Sequence, residues 1–397
     1  MKKKGFNKRI ILFVVCFLFI ITGYFSSYSI KPIAGSFWRL VKGQYTVEEA
    51  KSTIDDALNL GLSYHKTLMD INGLKDNVIG TRIVKKGDST VIKADSGKVM
   101  GSNGMIKKKD LEAVCEKTKQ LKTVAEENGA KFLYCYAPSK EYYEKAPDNV
   151  KDYSKENTAN FLKLLSDKEI PYLSFVETFE KNKMKDDDLY FVTDHHWKPY
   201  SGFVAAKAIC EELSERYGFE YNRKYTDIKN YNIKKYEHWF LGSQGKKVGT
   251  WFTWNGADDF DLITPKFNTE FIEEQPAKKA IRTGRFEDTV LYMEKDYYNN
   301  SSYATYSGGD FKLQIMKNTQ NKNGKKILMV RDSFACVVCP FLALQTNELH
   351  ICDMRDMEGM IGEKLNLKEY IKKIKPDYVL ILFNRPGDTS DDRYNFF

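Results

Sequence analysis

The chain has 397 residues, of which 42% are hydrophobic and 14% aromatic, so a substantial core is available and global disorder is excluded. Its formal net charge of +8 comes from lysines scattered along the chain and from a basic cluster at the N-terminus. Scattered lysines are typical of a solvated surface, and the sequence carries no RNP, zinc-finger or arginine-rich signature, so nucleic acid is not a predicted partner.

Residues 1–30 are predicted to be a basic N-terminus followed by a single transmembrane anchor. The basic residues 1–9 precede an apolar run, Ile10–Ile21, whose length falls between a signal-peptide core and a full membrane span. No A-x-A cleavage site follows the run, which favours an uncleaved anchor over a cleaved signal peptide. Whether the run is an anchor or a cleaved signal peptide, the basic end stays in the cytoplasm and the rest of the chain is exported, so the main domain is predicted to be extracytoplasmic.

Residues 31–105 are predicted to form a juxtamembrane region, and residues 106–397 one large α/β domain. In the latter, apolar residues at helical spacing alternate with short apolar runs, which predicts a mostly parallel sheet covered on both faces. The predicted helices lie within 111–124, 160–165, 203–217 and 365–374, and the predicted strands are 131–136, 172–175, 327–330, 348–352 and 378–383. Residues from about 219 to 323 are rich in Tyr, Asn and Gly and are predicted to be an insertion of loops and short strands.

The cysteines predict buried free thiols rather than a metal site. Cys336 and Cys339 form a single CxxC, and neither a second CxxC nor a clustered histidine accompanies it. A disulfide between these two cysteines is the less favoured alternative. No metal or cofactor is predicted.

Two of the five histidines are adjacent, beside an aspartate, in the segment Tyr190–Trp197. A neutral histidine suits a general base near neutral pH, and a carboxylate such as Asp194 fixes its tautomer. A simple polar cap on the helix that begins near Pro199 is an equally open interpretation.

Ser333 directly follows the predicted strand 327–330, within Arg331-Asp332-Ser333-Phe334. A serine at a strand-to-helix turn presents its hydroxyl at the carboxyl edge of a parallel sheet, where the following backbone N–H groups can stabilise an oxyanion. By itself such a serine is more often a helix cap. Together with the Asp/His segment it supplies the parts of a Ser-His-Asp triad, which is recognised by role and not by chain order.

Two further segments are candidates for substrate contact. The glycine-rich loop around Gly242 and Ser243 is flanked by Trp239 and Trp251, and exposed tryptophan planes suit stacking on sugar rings. A tight, aromatic-packed loop is as well supported. Asn384-Arg385 follows the last predicted strand. This position allows contacts with an oxyanion or a substrate, and an ordinary turn after the strand is an equally open interpretation.

Asp194-His195-His196-Trp197 resembles the signature of the DHHW protein family, which is similar to the alginate O-acetylation proteins with SGNH-hydrolase-like domains. The turn 137–140, the glycine-rich loop and the late Asp332-Ser333 pair support the resemblance, which spans roughly residues 70–390. It implies a flavodoxin-like three-layer core, a catalytic domain over residues 106–397, and a triad in which the Asp/His segment precedes the serine.

Carried over by position, the resemblance implies that Ser333 is the nucleophile, His196 the base and Asp194 the group that orients it. Supporting or alternative roles are expected for His195, Trp197, Asp332, Asn384 and Arg385, and substrate contacts for Lys140, Gly242, Ser243, Trp239 and Trp251. Two departures stand out: Arg331 replaces the usual glycine before the Asp-Ser pair, and no Gly-x-Asn-Asp block is present. Asn384 is therefore the candidate for the second oxyanion donor.

The predicted function is transfer of an acetyl or similar acyl group to an envelope or exported polysaccharide through an acyl-serine. A carbohydrate esterase using the same triad is the first alternative. A non-catalytic polysaccharide-binding or assembly protein is the second. The resemblance also implies a membrane-bound O-acyltransferase as a partner that supplies the acyl group.

Overall fold

The structure is a computed structural model that describes residues 27–47, 49–51, 53, 65–87, 89–291, 301–356, 360 and 362–397. The predicted anchor run, 10–21, lies outside these residues. Within the described ranges, no helix combines the length and the apolarity that a membrane crossing requires.

Helices and strands are numbered in chain order. The α-helices are α1 (Ser27–Val41), α2 (His65–Val78), α3 (Lys108–Glu127), α4 (Lys140–Tyr143), α5 (Ser154–Asp167), α6 (Phe175–Lys181), α7 (Asp186–Leu189), α8 (Pro199–Tyr217), α9 (Ser243–Val248), α10 (Phe286–Thr289), α11 (Cys339–Ala343) and α12 (Leu367–Ile374). The strands are β1 (Ile83–Lys86), β2 (Ser89–Lys93), β3 (Val99–Met100), β4 (Lys131–Ala137), β5 (Tyr172–Ser174), β6 (Tyr231–Phe240), β7 (Asp258–Pro265), β8 (Phe271–Gln275), β9 (Ala280–Gly284), β10 (Leu313–Asn318), β11 (Lys326–Arg331), β12 (Glu348–Cys352) and β13 (Tyr378–Asn384).

The central sheet has eight strands in the order β5-β4-β13-β11-β12-β10-β8-β9. The first five run parallel to one another, which confirms the predicted mostly parallel α/β sheet. If β11 is counted as the first strand, the parallel part has the order 2-1-3-4-5 of a flavodoxin-like sheet. The chain therefore enters this fold at what would be its fourth strand, a circularly permuted arrangement.

Part of the predicted insertion, 219–323, belongs to this sheet. β10 pairs antiparallel with β12, and β8 and β9 extend the edge beyond it, while β6 and β7 form a separate two-stranded ribbon. The strand signal is weak because polar residues occupy buried positions on these strands. Glu273 and Gln314 lie fully buried and face each other, with Gln314 Nε2 donating to Glu273 Oε1 at 2.8 Å.

Alternate residues of each parallel strand enter two separate apolar clusters, one on each face of the sheet. One cluster combines Leu133 and Cys135 of β4 with the buried residues of α8. The other combines Phe132 and Tyr134 of the same strand with α3, α5 and α12. The result is a three-layer arrangement in which the carboxyl ends of the parallel strands meet at one edge.

The chain divides into two compact units. Of the residues that the structure describes, one unit comprises those up to 79 together with 248–252, and the other comprises those in 80–247 and 253–397, including the central sheet. In the smaller unit, α2 packs on residues 248–252, where Thr250 N donates to Asp70 Oδ1 at 2.7 Å. The predicted boundaries at 30 and 105 stay predictions.

Candidate active site

Ser333 is the first residue of a short 3₁₀ helix, Ser333–Val337, that begins at the carboxyl end of β11. The preceding Asp332 holds this turn: one carboxylate oxygen accepts from Phe334 N at 3.0 Å, and the other accepts from Asn384 N at 2.7 Å. Arg393 Nη1 also donates to the second oxygen at 2.9 Å. Asp332 is thus engaged in fixing the serine turn between β11 and β13.

A continuous chain of hydrogen bonds joins Asp194, His196 and Ser333. His196 Nε2 lies 2.7 Å from Ser333 Oγ, and His196 Nδ1 lies 2.5 Å from Asp194 Oδ1. Asp194 and His196 are buried and Ser333 is partly exposed. A base within hydrogen-bond reach of a hydroxyl, itself oriented by a carboxylate, is the arrangement that activates a serine as a nucleophile.

The environment of Asp194 keeps it ionised. Burial by itself raises the pKa of this carboxyl, but the charges of His196 and His195 and the hydrogen bonds from His196 and from Ser243 N outweigh it. The pKa of Asp194 is therefore held well below its usual range. An ionised carboxylate at this position fixes the His196 tautomer that leaves Nε2 free to take a proton from Ser333.

A second buried carboxylate, Asp258 of β7, braces the backbone just before Asp194. It accepts from Val192 N at 2.6 Å and from Thr193 N at 2.8 Å. Burial raises the pKa of Asp258, while the bonds from Thr193 and Val192 oppose the shift. Nothing in the local sequence of Asp258 marks this role, because its partners lie about sixty-five positions earlier in the chain.

Gly242 lies directly against Asp194. A Cβ at residue 242 would lie 2.2 Å from Asp194 Cβ and 2.5 Å from its Cα. The next residue, Ser243, donates its N–H to Asp194 Oδ2 at 2.6 Å. The glycine allows the loop to wrap the carboxylate.

Changing Gly242 to alanine is expected to displace Asp194 and slow the reaction of Ser333 with a sulfonyl fluoride by roughly 10²-fold, since small misplacements of catalytic groups cost about that much. Because the clash is with backbone atoms, a rotamer change cannot relieve it. The measurement is the labelling rate together with the thermal midpoint. Gly104→Ala is the matched control, since a Cβ there meets nothing within 4 Å. Equal labelling rates for the two variants would contradict the assigned close contact.

Aromatic rings enclose the His196 imidazole. Tyr303 stacks on it with ring centroids 3.9 Å apart and planes inclined by 14°. Tyr303 OH and Trp197 Nε1 both donate to Phe334 O, at 3.1 and 2.9 Å. Trp197 thus supports the turn that carries Ser333. Tyr303 was not predicted, because it lies in the irregular part of the insertion with no motif around it.

His195 lies beside the triad, with its ring centroid 3.8 Å from that of His196. Its Nδ1 lies 3.0 Å from Ser243 Oγ, and its side chain is 41% exposed. Among the described residues, Asp194, His195 and His196 are also the group whose possible metal-ligand atoms lie within 4.8 Å of one another. In this structure those atoms serve the hydrogen bonds among the three residues and to Ser243 and Ser333.

The donors expected to face an oxyanion have other partners. Phe334 N donates to the Asp332 side chain, and Ala335 N donates to Asp332 O at 3.1 Å, so the N–H groups after Ser333 serve the turn itself. Asn384 Nδ2 donates to Ala137 O at 3.2 Å and to Pro138 O at 3.0 Å. An oxyanion role for Asn384 stays a prediction.

Arg385 and Lys140 lie at the same carboxyl edge of the sheet, at the ends of β13 and β4. Arg385 is exposed, has a positive φ of 41°, and donates from Nη1 to Asn103 Oδ1 at 2.7 Å. Lys140 is fully buried, and its ammonium donates to Val99 O at 2.6 Å and to Val192 O at 3.2 Å. Burial lowers the pKa of Lys140 to about 8, and the carboxylates of Asp258 and Asp194 oppose the shift. Substrate contact by either side chain stays a prediction.

The two tryptophans predicted to contact substrate differ in exposure. Trp239 of β6 is partly buried and packs against Tyr236, with ring centroids 4.7 Å apart. Trp251 belongs to the smaller unit and is 50% exposed. A role of these rings in sugar binding stays a prediction.

Arg331, the residue in place of the usual glycine, is buried and anchors an ion cluster. It pairs with Asp310, lies 3.5 Å from Asp353 Oδ2, and donates to Gly309 O at 3.0 Å. Arg355 closes the cluster by pairing with Asp353 at 2.5 Å. Cys336 lies against Arg331, and both cysteines of the CxxC are free and buried. The Asp353–Arg355 pair is thus part of a larger network.

Residues 103–234 match a family model described as the SGNH hydrolase-like domain of the acetyltransferase AlgX. The chain is also similar to a DHHW family protein from Eubacterium siraeum (19% identity, 76% of this chain and 92% of that chain covered, TM-score 0.56). It is similar to PatB1 of Bacillus cereus (20% identity, 78% and 100% covered, TM-score 0.63) and to the structure of PatB1 with a sulfonyl adduct (20% identity, 79% and 99% covered, TM-score 0.61). No curated protein matches the chain by sequence. These findings confirm the predicted resemblance and the SGNH-like α/β fold.

Proposed function

We propose that this protein is an extracytoplasmic O-acyltransferase that moves an acetyl or similar acyl group onto a polysaccharide hydroxyl. The observation that carries the proposal is the hydrogen-bonded chain from Asp194 through His196 to Ser333. It lies at the carboxyl edge of a parallel sheet, the usual place for a ligand in an open α/β fold. The match to an acetyltransferase domain supports the reaction class.

In the first half of the reaction, Ser333 Oγ attacks the carbonyl carbon of an acyl donor while His196 Nε2 takes the serine proton. The bond between the acyl carbon and the leaving oxygen then breaks, and His196 returns the proton to that oxygen. The product is an acyl-serine. Asp194 stays a carboxylate throughout and stabilises the imidazolium that forms at His196.

In the second half, a sugar hydroxyl attacks the acyl-serine and gives its proton to His196. The ester bond to Ser333 breaks, the acyl group leaves on the sugar, and His196 returns the proton to Ser333 Oγ. Water in place of the sugar makes the same site an esterase. We propose that the N-terminal apolar run stays in the membrane as an anchor after the rest of the chain is exported. We also propose that a membrane-bound O-acyltransferase supplies the acyl groups.

The test is intact-mass spectrometry of the protein after incubation with an aryl acetate or a sulfonyl fluoride, followed by peptide mapping. We expect a single adduct on Ser333, because its hydroxyl lies 2.7 Å from the base. An adduct elsewhere, or none on the folded protein, would remove the proposed nucleophile and favour a binding role. Release of the acetyl group from the adduct to oligosaccharide, in preference to water, separates the transferase from the esterase.

A further inference from the structure

The packed face of α2 in the smaller unit is made of small and polar residues. Gly73 lies so close to residues 248–252 that a Cβ there would come within 2.5 Å of Val248 O. Asp70 accepts from Thr250 N at 2.7 Å, and Asn77 Nδ2 donates to Trp251 O at 3.1 Å. The side of the helix that an ordinary surface helix fills with apolar residues is therefore polar here.

The opposite side of α2 is apolar and exposed. At 100° per residue, four large apolar residues of α2 and the one that follows the helix fall within an arc of about 140°, which also contains Lys75 and leaves out Met69. The exposed fractions in this set, called the α2 stripe below, are 46% for Leu68, 58% for Ile71, 43% for Leu74, 65% for Val78 and 67% for Ile79. Large apolar side chains exposed together on one face of a helix, here with the exposed Lys75 among them, are typical of an interaction site.

α1 carries a second exposed apolar group. Phe37, Trp38 and Val41 are 62%, 63% and 62% exposed, whereas Ser36 turns inward and donates to Ala50 O at 3.2 Å. Arg39 and Lys42 adjoin these rings in the sequence. Aromatic rings next to basic side chains are typical of helices that lie in the headgroup region of a membrane.

We propose that the α2 stripe and the exposed face of α1 rest on the surface of a lipid bilayer. A lipid bilayer is the expected partner of these surfaces because the apolar run 10–21, outside the described residues, ends only six positions before α1 begins at Ser27. A run inserted in the bilayer places α1 at the membrane surface. The inference rests on the membrane attachment included in the proposed function, and it adds that the first helices bind the lipid surface instead of acting as a free tether.

The experiment uses the full chain with Cys16 changed to alanine, so that a thiol dye reacts only with an introduced cysteine, since the other six cysteines are buried. Ile71→Cys carries the dye, and the protein is reconstituted in vesicles of phosphatidylcholine and phosphatidylglycerol. Ile233→Cys and Ile281→Cys, 53% and 68% exposed in the larger unit, are the matched controls. Quenching is measured with nitroxide lipids and with aqueous iodide.

We expect nitroxide lipids to quench the dye at residue 71 and not at the controls. In the same vesicles, we expect iodide to quench the dye at residue 71 at least several-fold less than it quenches the dye at either control. Iodide quenching at residue 71 equal to that at the controls would overturn the proposal. So would protection from both quenchers, which would show cover by protein, either the chain's own N-terminal run or another copy. Alkaline extraction reports separately on the anchor: extraction of the chain overturns the anchor and the proposal together. The Ser333 adduct is independent of all these readouts.

Discussion

Replacing Ser333 with alanine is expected to lower kcat for an aryl acetate by at least about 10³-fold, because removal of a triad nucleophile leaves only the binding and oxyanion contributions. In the structure Ser333 Oγ is the hydroxyl that His196 Nε2 contacts, at 2.7 Å. The turn that carries residue 333 is held by Asp332, Trp197 and Tyr303, so the alanine variant retains its fold. The measurement is steady-state turnover with the thermal midpoint as a check on folding.

The comparison that makes this result specific is a double-variant cycle. His196→Ala alone and Ser333→Ala with His196→Ala are expected to lose about as much turnover as Ser333→Ala alone, since the residues act as a unit. Ser390→Ala, an exposed serine near the C-terminus, is expected to retain full turnover. If the losses of the two single variants instead multiply in the double variant, Ser333 and His196 do not share one catalytic unit.

Asp194→Asn is expected to lower kcat by about 10⁴-fold while leaving the fold in place, as the loss of the orienting carboxylate does in other triads. The amide cannot stabilise the imidazolium, and its N–H group favours the tautomer in which His196 Nε2 is already protonated. Asp258 and the Gly242–Ser243 loop still hold the surrounding backbone. The measurement is kcat against pH.

The pH dependence follows from the sign of the shift at Asp194. Its pKa is held well below the usual value, so the stability that its ionised form contributes is present above the unfolded pKa and is lost only as the pH falls through the lower folded value. The wild-type protein is therefore expected to lose part of its stability at strongly acidic pH, and Asp194→Asn to lose less. Asp148→Asn, at a side chain 98% exposed, is the control for both readouts. Turnover of Asp194→Asn within tenfold of wild type would remove Asp194 from the triad.

The parallel sheet could be predicted because its strands are uninterrupted apolar runs, such as Tyr378–Phe383, between helices of clear period. The antiparallel strands β8 and β10 could not, because Glu273 and Gln314 occupy buried positions on them and share a hydrogen bond there. A polar residue that is buried with its partner looks, in sequence, like a polar residue on the surface.

The residues of the candidate site also differ in whether the sequence indicates them. Asp194, His196 and Ser333 lie in two short motifs next to recognisable elements, so their types and positions indicate them. Tyr303 and Asp258 reach the site only through the tertiary fold. The position of Lys140 in the sequence does not predict the environment of its side chain. The residue follows a strand at the expected edge of the sheet, yet its ammonium is buried and donates to two backbone carbonyls.

The permuted strand order has a consequence for the order in which the sheet can close. β13 lies between β4 and β11 and pairs with both. The two halves of the sheet therefore stay unjoined until residues 378–384 have been added to the folding chain. Asp332, beside Ser333, accepts hydrogen bonds from Asn384 and Arg393. The turn that carries Ser333 thus gains this support only after β13 and the segment that follows it are in place.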